Sequence, residues 1–94
     1  MTTRLIALGQ GADIAFDHPV LVLGRDPRCD ARLDSPLVSR KHCCLAISDH
    51  DVIVRDLDSL NGVRINGEKI TTGRLLPGDE LAIADLRYRL ALVD

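Results

Sequence analysis

Apolar residues recur along this chain in short bursts, and each burst stops at a turn residue. Arg4–Leu8 runs into Gly9-Gln10-Gly11, and Ile14–Phe16 and Val20–Leu23 flank Asp17-His18-Pro19. Ala31–Leu33 precedes another loop, and His42–Ile47 ends at Ser48-Asp49-His50-Asp51. In Val52–Leu57 the alternation puts Val52 and Val54 on one side and Ile53 and Arg55 on the other, the period of a half-buried strand. Val63–Ile65 and Lys69–Ile70 bracket Asn66-Gly67, a two-residue hairpin signal because both residues tolerate positive φ. Leu75-Leu76 leads into Pro77-Gly78-Asp79, where Pro fixes φ and Gly supplies the left-handed position. Leu81–Ala84 and Leu86–Val93 close the chain, the latter alternating Leu86, Tyr88, Leu90 and Leu92 with Arg87, Arg89 and Ala91. No window of helical length carries a 3.6-residue period bounded by caps. Many short strands at turn spacing predict an all-β sandwich or barrel.

Length and composition narrow this further. With 94 residues the chain is expected to form one domain with one core, either alone or as a module of a longer protein. Aromatic residues are limited to Phe16 and Tyr88, so the core is expected to be aliphatic, and a base-stacking platform for single-stranded nucleic acid is not available. The formal net charge of -2 gives no global attraction to nucleic acid or membrane. No apolar run reaches membrane-spanning length and no leader pattern is present at Arg4–Leu8. Three cysteines, Cys29, Cys43 and Cys44, are odd in number with two adjacent, which fits reduced thiols in a cytoplasmic setting.

Three polar clusters stand at the ends of apolar runs: Gly24-Arg25, Ser39-Arg40-Lys41-His42 and Asn61-Gly62. Each alone is an ordinary loop. Arg25 reads equally as a surface residue paired to Asp26 or Asp30, Ser39 as a turn cap, and His42 as a structural histidine bonded to loop backbone. Together they supply a guanidinium fork, a hydroxyl, an amide and backbone N–H groups, the donor set that holds a tetrahedral anion. Of the twelve Lys and Arg residues, six (Arg25, Arg28, Arg32, Arg40, Lys41 and Arg64) lie in or beside these loops, a local enrichment against the negative total. In a sandwich, loops gather at the two ends, so three clusters in three connections can meet.

The ordered set Leu23-Gly24-Arg25, Val38-Ser39-Arg40-Lys41-His42, Asp58-Ser59-Leu60-Asn61-Gly62-Val63-Arg64-Ile65-Asn66-Gly67 and Pro77-Gly78-Asp79-Glu80-Leu81 resembles the forkhead-associated (FHA) domain over nearly the whole chain. The resemblance implies a β-sandwich of about eleven strands that binds phosphothreonine-containing protein segments through loops at one end. It implies phosphate contacts for Arg25 and Ser39, with Arg40 flanking the phosphate or touching the peptide and Asn61 holding the peptide main chain. Gly24, His42 and Gly62 are implied as loop-shaping, and Asn66 as a support for the loop after Asn61. Phosphothreonine is implied over phosphoserine.

Two positions depart from the pattern. Leu60 stands where the family commonly has Thr or Ser. Loss of one charge-assisted hydrogen bond costs about 1.5–3 kcal/mol, roughly ten- to hundredfold in affinity, unless backbone N–H, Ser59 or Arg64 compensates. Leu37, two before Ser39, gives no basis for an acidic preference three residues after the phosphothreonine.

Competing functions are weaker. His18, His42 and His50 are available as bases, yet no Ser-His-Asp order, H-E-x-x-H, P-loop or dinucleotide fingerprint is present, so no catalytic residue and no cofactor is expected. No C-x-x-C pair exists and adjacent strand residues face opposite ways, so Cys43-Cys44 with Cys29 and His42 is not expected to hold a metal. The alternative is a phosphate-independent interaction or dimerisation scaffold of the same fold, to which Leu60 points. Nothing in the sequence decides between a monomer and a weak dimer.

Overall fold

The computed structural model describes residues 2–94 as two packed β-sheets with no helix. The strands are β1 (Thr2–Ala7), β2 (Ile14–Ala15), β3 (Val20–Gly24), β4 (Ala31–Arg32), β5 (Cys43–Ser48), β6 (Asp51–Asp56), β7 (Val63–Ile65), β8 (Glu68–Ile70), β9 (Thr72–Leu75), β10 (Glu80–Ile83) and β11 (Leu86–Val93). One sheet has six strands in the order β2-β1-β11-β10-β7-β8, the other five in the order β4-β3-β5-β6-β9. All pairings are antiparallel except β3 with β4. No helix among the described residues is long and apolar enough to cross a membrane.

The period-2 pattern accounts for the packing. Val52 and Val54 point inward and are fully buried, while Ile53 is 41% exposed on the outer face. On β11, Leu86, Tyr88 and Leu90 are buried and Arg87 and Arg89 lie outside. Leu5, Leu23, Leu45, Leu81 and Ile83 complete an aliphatic core between the sheets. Cys43 faces this core and Cys44 the outer face, as adjacent strand residues must. Asn66 (φ 50°) and Gly67 (φ 85°) form the two-residue turn between β7 and β8, and Gly78 (φ 94°) takes the left-handed position after Pro77.

One strand was not legible. Thr72-Gly73-Arg74-Leu75 is mostly polar and contains glycine, which weakens strand propensity. It forms β9 because β6 offers a complete partner, with Val54 opposite Gly73. Gly73 leaves room for Ile65, since a β-carbon there would lie 2.9 Å from Ile65 Cδ1.

Candidate functional site

The connections β3–β4, β4–β5 and β6–β7 meet at one end of the sandwich, held there by hydrogen bonds between loops. The backbone N–H of Arg25 donates to Ser39 C=O at 3.0 Å, and that of Asp26 to Arg40 C=O at 3.1 Å. Arg25 Nε donates to Val38 C=O at 3.0 Å. Asn61 Nδ2 donates to Leu37 C=O at 2.7 Å, and the Leu60 N–H donates to Ser39 Oγ at 3.1 Å. Arg25, Ser39, Arg40 and Asn61 are thereby brought together.

Their free valences define the chemistry. Arg25 spends its Nε on the main chain, which fixes the guanidinium plane and leaves both terminal nitrogens for a bidentate anion contact. Ser39 Oγ accepts from Leu60, so its own proton is free to donate outward. Asn61 retains its carbonyl oxygen and one amide hydrogen. Leu60 is 88% exposed, so it offers only its backbone N–H, already given to Ser39. Ser59 is turned inward, its Oγ accepting from Gly62 N–H at 3.0 Å.

Beneath these groups His42 is fully buried. Its Nδ1 accepts from Ser39 N–H at 3.0 Å, so the ring proton resides on Nε2 and donates to Gly62 C=O at 2.8 Å. One imidazole thus fixes the loop bearing Ser39 to the loop bearing Asn61. Gly62 adopts φ 79°, a left-handed conformation that disfavours a side chain. Gly24 is needed for a different reason: a β-carbon there would lie 2.0 Å from Arg40 O. Ser35 Oγ donates to Asp85 Oδ1 at 2.7 Å, tying the β4–β5 loop to the β10–β11 turn.

Arg25, Arg32 and Arg40 line a shallow depression beside this cluster, with Asp26 and Asp34 at its margin. Arg28 grips Asp26 through Nε at 3.2 Å and Nη2 at 2.9 Å. That side-chain bond, joined by the Arg28 backbone N–H, holds the Asp26 carboxyl well below the usual carboxylate range. Asp26 and Asp30 therefore leave Arg25 unpaired; Asp30 accepts from Val22 N–H instead. Arg32 Nε donates to Arg25 C=O at 3.1 Å and stands 3.8 Å from Asp34. In the sequence Arg32 is only one of several basic residues near the clusters; its place beside Arg25 follows from the parallel β3–β4 pairing, which sets Arg32 opposite Gly24. A second depression, between the open edges of β2 and β4, is lined by Asp13, Asp17, Asp30 and Asp34 together with Arg32.

Two site residues lie apart from the cluster. Asn66, expected to support the loop after Asn61, is at the far end of β7. Its Nδ2 donates to Asp79 Oδ1 at 3.1 Å and its Oδ1 accepts from Glu80 N–H at 2.9 Å, so it braces the β7–β8 hairpin against the β9–β10 turn. A three-residue strand separates the two loops, which spacing alone does not reveal. Arg64 is exposed on the outer face of β7, where the alternation after buried Val63 puts it. His18 and His50 lie at the opposite end, in the β2–β3 and β5–β6 connections. Among the described residues, no group of three His, Cys, Asp or Glu converges to hold a metal. Burial pushes the Cys43 thiol far up, and Cys29 Sγ lies 3.2 Å from Arg40 C=O.

Residues 21–84 match the family model of the FHA domain. The chain is 38% identical over 77 residues to the oxoglutarate dehydrogenase inhibitor of Corynebacterium efficiens, covering 82% of this chain and 54% of that protein. It thus spans about half the length of this relative. Among solved structures, the FHA domain of the CT664 protein from Chlamydia trachomatis superimposes with a TM-score of 0.88 at 28% identity over 100% of both chains. EmbR of Mycobacterium tuberculosis, solved with a low affinity phosphopeptide, has a TM-score of 0.87 at 28% identity over 95% of this chain and 24% of its own. Strand order, loop cluster and these matches agree, and the chain belongs to the FHA domain family.

Proposed function

We propose that these loops bind phosphothreonine-containing segments of a partner protein, with Arg25 and Ser39 on the phosphate, Arg40 closing beside it and Asn61 on the peptide main chain. One observation supports this: Arg25 N–H bonds Ser39 C=O across the two loops, while the Arg25 Nε bond to Val38 and the Leu60 bond to Ser39 Oγ leave the Arg25 terminal nitrogens and the Ser39 hydroxyl proton unspent. A phosphate with charge of about −1.5 to −2 and three acceptor oxygens is the complement of such a donor set. The EmbR complex with a phosphopeptide supports the same assignment. A shallow loop site of this kind is expected to bind in the micromolar range, about −8 kcal/mol.

The domain is a recognition module and not an enzyme. His42, the histidine at the site, has both ring nitrogens committed to backbone partners and has no valence left for a base. All site loops come from one copy of the chain, so a monomer suffices. We assign it to the cytoplasm, consistent with Cys29, Cys43 and Cys44 as free thiols, and to a longer regulatory protein of which it is one module.

The test is a degenerate phosphothreonine peptide library, with phosphoserine and unphosphorylated libraries beside it and Arg25→Ala as control. Phosphothreonine-dependent binding that disappears in Arg25→Ala supports the assignment. Partner binding that survives Arg25→Ala refutes it in favour of a phosphate-independent scaffold, for which exposed Leu60 is the motivating feature.

A further inference from the structure

Lys69 on β8 stands directly opposite Arg64 on β7, both on the outer face of the six-stranded sheet. Like charges facing each other across a strand pair are destabilising. Neither residue has a carboxylate partner among the described residues. The row continues through Ala82, which lies opposite Arg64 on one side and Arg87 on the other. Outward positions of this sheet carry Arg4, Arg64, Lys69, Arg87 and Arg89 against Glu80, a local charge of five minus one on a chain whose total is -2. Glu80 is taken by Arg87 at 3.1 Å and faces Arg89 at 3.9 Å, so Arg64 and Lys69 are left uncompensated.

Of this pair Lys69 is the member that reaches the rim of the loop cluster. The position a β-carbon would take on Gly62 lies 3.2 Å from Lys69 Cε and 3.9 Å from its Nζ. The ammonium therefore rests against the backbone of the residue after Asn61. Lys69 and Arg64 are both exposed, and neither has an ion-pair partner among the described residues. An opposed cation pair without counter-charge, set beside a peptide-binding loop, is an arrangement that a bound carboxylate would relieve.

We infer that Lys69, with Arg64 behind it, is a second anion site that reads an acidic side chain on the Asn61 side of the phosphothreonine. The inference rests on the phosphothreonine assignment above and adds a flanking preference carried by β8. It is separate from the Leu37 position, which has no charge to offer.

The experiment measures fluorescence anisotropy of phosphothreonine peptides carrying Asp residues on the N-terminal side, on the C-terminal side, or on neither. Proteins are the natural chain, Lys69→Gln and Lys69→Arg, with a urea midpoint for each. In the natural chain one acidic series is expected to bind about three- to fivefold tighter than the neutral one. The gap should close in Lys69→Gln and in about 1 M salt, where screening acts over about 3 Å, and persist in Lys69→Arg. The neutral peptide should be unaffected by Lys69→Gln, and the urea midpoint should hold or rise as the cation pair is relieved. Equal binding of acidic and neutral peptides by the natural chain overturns the inference, as does a gap that survives Lys69→Gln. An equal loss for both peptides in Lys69→Gln also overturns it, since Lys69 would then serve the phosphothreonine itself. Failure of every phosphopeptide to bind removes the phosphothreonine assignment and this inference with it.

Discussion

Replacing Gly24 by Ala asks for one methyl group where main chain already stands. Its β-carbon would lie 2.0 Å from the carbonyl oxygen of Arg40, 2.7 Å from that carbonyl carbon and 3.0 Å from Lys41 Cα. All three obstacles are backbone, so no rotamer change relieves them. The crossing must open by at least about 1 Å to reach even the tightest tolerated contact. The bonds nearest the crossing, Arg25 N–H to Ser39 C=O and Asp26 N–H to Arg40 C=O, are stretched beyond useful geometry by such a shift. At about 0.5–1.5 kcal/mol net each, with overpacking strain of about 1–3 kcal/mol, a loss of about 2–6 kcal/mol in stability is expected. Arg25 also moves away from Ser39, so at least one charge-assisted phosphate bond fails and affinity falls about ten- to hundredfold. Urea unfolding reads the first quantity and calorimetric titration with a phosphothreonine peptide the second. Gly73→Ala is the control: its obstacle at 2.9 Å is the tip of the Ile65 side chain, away from the loops, so a smaller stability loss and unchanged affinity are expected. Equal effects of the two substitutions on affinity, or a Gly24→Ala protein as stable as the parent, would refute the close-approach account.

Other substitutions separate site from scaffold. Arg25→Ala is expected to lower phosphopeptide affinity at least about thirtyfold while costing about 1 kcal/mol in stability, because the lost intramolecular bond from Nε to Val38 is a single half-exposed one; chemical denaturation beside a binding titration checks both. His42→Ala leaves Ser39 N–H without a partner in a buried site and Gly62 C=O with only the 3.3 Å bond from Ala84 N–H, and a loss of about 3–5 kcal/mol with collapse of binding is expected; a variant that unfolds at the parental urea midpoint contradicts it. Leu60→Thr puts a hydroxyl beside the Ser39 contact at an 88% exposed position, so stability should be unchanged and affinity should rise about tenfold; no gain would mean that position 60 does not reach the phosphate. Binding should weaken several-fold from pH 7 to pH 5, because the phosphate second ionisation near pH 6 removes about one charge. Asp26 adds nothing to that slope: a depressed carboxylate contributes fully above its ordinary range and loses its effect only in strong acid, as pH falls through its lowered folded value. A flat titration between pH 7 and pH 5 would count against phosphate as the ligand.

The strands were legible because this core is simple. Aliphatic residues alternate cleanly with charged ones on β6 and β11, and turn residues punctuate nearly every connection, so the period-2 pattern and the Asn66-Gly67 hairpin read directly. β9 was not legible because its stability lies in β6 and not in its own residues. At the site, Arg25, Ser39, Arg40 and Asn61 were named from residue type and order, yet their convergence rests on bonds that span up to 24 positions in sequence, as from Asn61 to Leu37. Asn66 lies outside the cluster, bonded to Asp79 and Glu80, because nearness in sequence is not nearness across a strand. Lys69 gave no signal at all: an exposed lysine in a hairpin is ordinary until pairing sets it opposite Arg64 and against Gly62.

The bonds that hold the site are mostly made to the main chain and are complete without a ligand. His42 on the five-stranded side fastens Gly62, which leads into β7 of the other sheet, and Ala84 N–H reaches the same Gly62 carbonyl at 3.3 Å. Ser35 and Asp85 repeat this link between the β4–β5 loop and the β10–β11 turn. The loop cluster is therefore a joint between the two sheets, and its geometry is fixed when the core closes. Little of the binding energy is then needed to order the loops, and the backbone should move less than about 1 Å on binding. Affinity in such a site is limited by the few exposed donors and not by reorganisation. On the proposed assignment, position 60 and the Lys69 rim are the places where a single side chain would tune partner choice without disturbing the fold, whereas Gly24 and His42 are where a change is transmitted to both sheets.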